Sequence, residues 1–175
     1  MGWKNVKTHY RIEHIVQVKD GNICIGSGYL PEIIVIDAAG NLVKTYDGGN
    51  DELSRYQEEM QANTPKLRAL VEAPDSFETS LTVYTYETRK GVIFEKQCET
   101  PRYPNVTHDG ILMYENTFST DKATVVRWAK DYARNGITCH ENHIRELQKQ
   151  IAVQEAYLAE EKAALAQLEA DYPGV

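Results

Sequence analysis

Apolar and polar residues alternate along the first half of the chain, as they do in half-buried β-strands. The alternation predicts strands at 10–18, 23–25, 30–36 and 42–46. Turn sequences separate them, and Asp20-Gly21 is a strong hairpin signal because Gly accepts a positive φ. Short turns between consecutive strands favour an antiparallel meander, and the doubly apolar run 33–36 is expected to be central in the sheet.

Helix signals and a further hairpin follow the predicted meander. Asn50 or Asp51 is expected to cap a helix over 53–62, and Thr64 a second short helix over 66–71. Alternation at 81–86 and 92–96 predicts a hairpin, and 111–114 one more short strand. Ser119 or Thr120 is expected to cap a helix over 121–134, and Asn135-Gly136 is expected to end it through a left-handed cap.

The last predicted helix, from about Glu141 to Asp171, repeats large apolar residues every seven positions. These a positions, with the apolar d positions between them, predict a coiled-coil seam for oligomerisation. The predicted seam consists of Ile144, Leu147, Ile151, Leu158, Leu165, Leu168 and Tyr172. Gln154 and Glu161 are polar d positions, which weaken the middle of a parallel dimer, set its register, or turn that part of the seam toward solvent.

Alanines mark a second face of the same predicted helix, nearly opposite the seam. They are Ala152, Ala156, Ala159, Ala163, Ala166 and Ala170. Alanine is the best helix former, so these residues can simply fill surface positions. Alternatively, they let a second helix approach closely, and the predicted helix 121–134, folded back across Gly136, is one candidate for that helix.

These patterns together predict an α+β fold with an N-terminal antiparallel meander, a hairpin and short helices, followed by a C-terminal helical hairpin. Residues 1–100 form the predicted β-rich domain, with two short helices at about 50–71. Residues 101–118 are a connector, in which Pro101 and Pro104 interrupt regular hydrogen bonding. Residues 119–172 form the predicted helical oligomerisation region.

Composition and charge narrow the expected environment and partners. The net charge of -7 argues against direct nucleic-acid binding, which relies on clustered Lys and Arg. No apolar run approaches the roughly 20 residues of a membrane span, so no membrane partner is expected. Three scattered cysteines without a C-x-x-C pair favour reduced thiols, and the first residues do not resemble a secretory signal. We therefore expect a cytoplasmic protein.

Candidate chemistry is sparse. His108 and Asp109 lie in a loop after a Pro-rich stretch, where ligand-binding residues are often found, but no nucleophile motif accompanies them. His140 and His143 share a predicted helical face beside Cys139, yet no further ligands have the spacing of a zinc site. We predict no catalytic residue, no metal and no cofactor.

Three functional hypotheses follow. The first is a non-enzymatic binding or assembly protein that forms a homo-oligomer, a dimer or higher, through protein–protein contacts. The second is an acidic inhibitor or decoy of a basic, nucleic-acid-handling host enzyme or defence complex. In its small size and its lack of catalytic motifs, the chain resembles phage accessory proteins. Its acidic surface would include Glu155, Glu160, Glu161 and Glu169. The third is a small ligand-binding protein or enzyme that uses His108 and Asp109.

Overall fold

A computed structural model describes residues 1–174 and confirms the α+β class. The chain forms two compact units, Met1–Ala129 and a second unit that begins at Lys130. In chain order, the elements are α1 (Trp3–His9), β1 (Ile15–Lys19), β2 (Asn22–Gly26), β3 (Ile34–Ile36), β4 (Leu42–Lys44), α2 (Asp51–Ala62), α3 (Thr64–Glu72), β5 (Leu81–Glu87), β6 (Val92–Cys98) and α4 (Lys122–Asp171).

The first four strands form the predicted antiparallel meander, in the order β1-β2-β3-β4. Asp20 and Gly21 both have positive φ, 50° and 77°, so they make the two-residue turn that matches the twist of the flanking strands. The short strand β3 is buried and lies between β2 and β4, which confirms its central place. The first strand begins at Ile15 rather than at Tyr10, because a helix and its exit occupy the preceding residues.

The sequence patterns did not predict α1, which fills the space before the sheet. Its apolar residues Trp3 and Val6, with Tyr10 just after it, recur at i, i+3 and i+7 and are buried in the main core. The N–H of Gly2 donates to the Val71 carbonyl at 2.8 Å. A Cβ on Gly2 would lie 2.0 Å from the Leu70 carbonyl oxygen, so this close approach to α3 requires glycine.

Both short predicted helices form and pack on the same core. The Asn50 side chain accepts a hydrogen bond from the Leu53 N–H at 3.0 Å and caps α2, as predicted. The predicted Thr64 cap is wrong, because Asn63 accepts from the Lys66 N–H at 3.1 Å and Thr64 is already helical. The two helices bury one apolar face each: Leu53, Tyr56, Met60, Leu67 and Val71.

The second sheet is the predicted hairpin of β5 and β6, paired from Leu81 with Cys98 to Glu87 with Val92. Tyr84 and Ser119 exchange two backbone hydrogen bonds of 2.8 and 3.1 Å, which ties the entry to α4 against this hairpin. The predicted strand at 111–114 is only an isolated bridge between Leu112 and Val106.

The predicted helical hairpin is wrong, because α4 is one continuous helix of 50 residues. The predicted Ser119 or Thr120 cap is also wrong, because Asp121 caps α4 by accepting from the N–H groups of Ala123 and Thr124. Gly136 lacks the positive φ that a left-handed cap requires, and it lies in the helix interior. A glycine there costs about 1 kcal/mol relative to alanine, which is small enough for a long helix to continue through it.

No helix among residues 1–174 combines the length and apolar composition needed to cross a membrane.

Candidate functional site

The predicted seam residues, six in α4 and Tyr172 immediately after its end, are exposed large apolar side chains. Their exposure ranges from 43% at Leu147 to 63% at Tyr172. Within α4, all of whose residues are described, Val125 is the buried one. Full burial of a Leu or Ile side chain stabilises by about 1.5–3 kcal/mol. Covering these half-exposed side chains with a partner would therefore be strongly favourable.

The continuity of α4 adds one residue that the sequence patterns missed. Ile137 lies seven positions before Ile144, and it is 58% exposed. The predicted break at Gly136 hid it, since it placed Ile137 outside the long helix. We call the completed set the heptad face: Ile137, Ile144, Leu147, Ile151, Leu158, Leu165, Leu168 and Tyr172. Its helical part, from Ile137 to Leu168, extends roughly 45–50 Å at 1.5 Å per residue.

Three polar d positions interrupt the heptad face, and the first is His140, between Ile137 and Ile144. Gln154 lies in a shallow groove that Leu147, Ile151 and Leu158 also line. Glu161 follows one heptad later and is exposed. In a two-stranded parallel arrangement each would meet its own counterpart, so Glu161 would place two carboxylates near one another. Polar core positions of this kind lower stability but restrict the register and number of strands.

The alanine face is exposed along its whole length, from Ala152 to Ala170. The helix expected to fold back onto it does not exist as a separate element, because residues 122–134 are the beginning of α4 itself. A close helix contact on this face therefore stays a prediction, and it would require a second chain.

Acidic side chains dominate the distal part of α4. Glu155, Glu160, Glu161 and Glu169 are all exposed. After Gln150 the sequence contains these four, Asp171 and one cation, Lys162. The residues that could attract a basic partner therefore lie on the same helix as the heptad face.

The His108-Asp109 loop lies in the first unit and is held by structural contacts. The His108 ring stacks on Phe77 at 3.7 Å between centroids, and its backbone carbonyl accepts from the Trp3 indole at 3.0 Å. Asp109 pairs with Lys96 and accepts from the Thr107 hydroxyl. Burial acts to raise the pKa of Asp109, but these two hydrogen bonds prevail and hold it below its usual value. A ligand role for this loop stays a prediction.

One buried atom in this loop has no partner within residues 1–174: the Nε2 of His108. Gly110, with φ 86°, closes the loop against β1, and its carbonyl accepts from the Val18 N–H at 2.8 Å. A Cβ there would lie 2.3 Å from the Val18 side chain. The loop therefore joins β6 to the main sheet through contacts that leave little room for a substrate beside Gly110.

The Cys139, His140 and His143 group lies on α4, and all three side chains are exposed. Among residues 1–174, no group of three or more His, Cys, Asp or Glu side chains is arranged to hold a metal ion.

Comparison with known proteins adds no relative: the chain matches no family model, no curated protein and no solved structure at a significant level.

Proposed function

We propose that this chain is a non-enzymatic assembly protein that self-associates through the heptad face of α4. The observation that carries the proposal is the regular, exposed row of Ile and Leu side chains over roughly 45–50 Å. Isolated exposed apolar residues are ordinary on protein surfaces, but a regular row of this length is typical of an interaction surface.

A second copy of the chain is the occupant that fits this face. A partner must present apolar residues at the same seven-residue period over a comparable length, and α4 itself does so. The other helices of residues 1–174 are much shorter, with 7, 12 and 9 residues, and their apolar faces are already buried in the main core. None of them is available to cover the heptad face.

The polar d positions favour few strands. A Gln154 or Glu161 side chain at the edge of a two-helix seam can reach water, whereas a larger bundle would enclose it more fully. We therefore propose a dimer of two α4 helices.

Sedimentation velocity of the full chain tests the proposal, with two variants that introduce the same charge. Leu158→Asp places a carboxylate in the heptad face and should produce monomers. Ala163→Asp places it on the alanine face and should leave the dimer intact. A wild-type chain that stays monomeric at high micromolar concentration refutes the proposal. If Ala163→Asp dissociates the oligomer and Leu158→Asp does not, the alanine face is the interface instead.

A second candidate function is binding to a basic protein, and the acidic distal half of α4 favours it. Opposite charges steer association and make it sensitive to salt. Such a partner, a nucleic-acid-handling enzyme for example, should bind the wild-type chain at low ionic strength and dissociate at high salt. Charge reversal at Glu160 and Glu161 together should abolish binding, and a partner retained by that variant would refute this role.

A further inference from the structure

A cleft of about 490 Å³ lies between α1 and the segment 99–106, in the first unit. Clefts of about 300–1,000 Å³ are the size in which proteins bind small molecules. One wall carries Lys4, Lys7 and Arg11, spaced i, i+3 and i+7 along α1 and its exit. The cleft is therefore cationic on one side, in a chain whose net charge is -7.

Lys7 is the unusual member of this wall. Its side chain is half-buried, and no hydrogen bond or ion pair links its ammonium to any of residues 1–174. Burial lowers the pKa of this ammonium. Lys4 is different, because its Nζ bonds to Glu99 at 2.8 Å and to the Ser76 carbonyl at 3.0 Å. Lys4 is therefore paired, whereas the Lys7 ammonium lines the cleft without a partner among residues 1–174.

Arg11 holds a backbone conformation that favours glycine. The N–H of Ile12 bonds to the Lys7 carbonyl and that of Arg11 to the Thr8 carbonyl, at 3.0 and 3.3 Å, which is the Schellman ending of α1. Arg11 occupies its left-handed position with φ 52°. A non-glycine residue there is strained, and such strain concentrates at functional sites. The guanidinium has one loose ion pair, 3.6 Å from Glu59, and is mostly exposed.

The acidic residues of the cleft do not neutralise Lys7. Glu99 Oε1 accepts from Lys4 and, at 2.8 Å, from the Glu78 N–H, so this oxygen is already engaged, and the ion pair of Glu99 is with Lys4 rather than with Lys7. Glu13 is exposed at the rim. Thr100 and Asn105 complete the opposite wall with groups that can hydrogen-bond to hydroxyls or ring nitrogens.

We propose that this cleft binds a phosphate monoester of metabolite size, with Lys7 and Arg11 holding the phosphate and the wall of Thr100 and Asn105 contacting its organic part. Two cations match the double negative charge of a phosphate monoester. The planar fork of Arg suits phosphate oxygens, and Lys contributes a point charge.

Tryptophan fluorescence can measure the binding, because Trp3 lines the cleft. The chain has two tryptophans, so Trp128→Phe leaves Trp3 as the reporter. Adenosine monophosphate, adenosine and inorganic phosphate are titrated into the full chain carrying this change. We expect the monophosphate to bind most tightly, phosphate more weakly, and adenosine not detectably. Absence of any binding up to about 10 mM, beyond even the millimolar range of weak ligands, overturns the proposal, as does equal binding of adenosine.

Matched variants locate the site. Lys7→Met should weaken monophosphate binding at least tenfold, whereas Lys66→Met removes the same charge from an exposed position on α3 and should leave binding unchanged. Equal losses in both variants would indicate general charge attraction and overturn the assignment.

Arg11→Gly offers a second test, because it should raise stability and weaken phosphate binding at the same time. It relieves the left-handed strain, so the melting temperature should rise by about 2–4 °C, while monophosphate binding weakens at least tenfold. A more stable variant that binds like the wild type removes Arg11 from the site and overturns the proposal. A destabilised variant also overturns it, because the strain argument would then be wrong.

Discussion

Shortening Leu158 to alanine is the most quantitative test of self-association through the heptad face. Leu158 is 53% exposed in the single chain, so about half of its burial energy remains to be gained on association. Full burial of a leucine contributes about 1.5–3 kcal/mol, and half of that is about 0.8–1.5 kcal/mol per side chain. A dimer contains two copies of Leu158. The Leu158→Ala change should therefore weaken association by about 1.5–3 kcal/mol, or about 10- to 150-fold in Kd.

Val153 supplies the matched control on the same helix. It is also apolar and similarly exposed, at 49%, but it lies outside the heptad face. Val153→Ala should change Kd by less than about threefold, because its side chain stays in water in both states. Sedimentation equilibrium of the three proteins over a range of concentrations gives the three dissociation constants. Circular dichroism of each variant checks that α4 remains helical.

Three results of this comparison would refute the reasoning. A wild-type chain without concentration-dependent mass has no interface to weaken. Equal effects of Leu158→Ala and Val153→Ala would mean that association does not select the heptad face. A Leu158→Ala effect below about 0.5 kcal/mol would mean that Leu158 stays exposed in the oligomer, since surface substitutions usually fall within that range.

Three further predictions concern single residues. Glu161→Leu should tighten association at least tenfold in sedimentation equilibrium, because it replaces a polar d position by an apolar one; weaker association would show that Glu161 meets a cation. Asp109→Asn should lower the free energy of unfolding in urea by about 0.5–1 kcal/mol at neutral pH, a modest value because the carboxylate is half exposed. The folded-state pKa of Asp109 is lowered, so this stabilisation is complete above the unfolded-state value and disappears as pH falls through the folded-state value; a loss that persists at about pH 2 would contradict the ion-pair explanation. Gly136→Ala should stabilise α4 by about 1 kcal/mol, seen as a higher helical signal and melting temperature, because a Cβ there meets no atom within 4 Å; a loss of helix would show that the chain turns at this glycine.

The meander and the second hairpin were predictable because their signals are local. Asp20-Gly21 specifies its turn almost alone, and the apolar run around Val35 can only be buried between neighbours. Strand ends were less predictable. Tyr10 and Ile12 are buried and alternate with polar residues, as they would in a strand. They nevertheless belong to the exit from α1. Alternating burial can therefore occur without strand pairing, and the sequence pattern alone does not distinguish the two.

The cationic cleft could not be predicted from sequence patterns. Lys4 and Lys7 are ordinary surface residues until α1 is recognised, and α1 is only two turns long, below the length at which periodicity is informative. Its far wall, around Thr100 and Asn105, lies about a hundred residues away in sequence. A site assembled from segments this distant leaves no spacing to detect.

The heptad face was predicted only in part, and the missing part has a single cause. Asn135-Gly136 is a strong local signal for ending a helix, because Gly adopts the left-handed conformation without strain. Ending α4 there would leave the carbonyls of its last turn and the N–H groups of a new first turn without helical partners. Continuing costs about 1 kcal/mol for one glycine and keeps those hydrogen bonds. A continuous helix therefore has the lower free energy. It places Ile137 in register with Ile144. The same glycine that was expected to form a helical hairpin thus leaves the proposed interface one heptad longer.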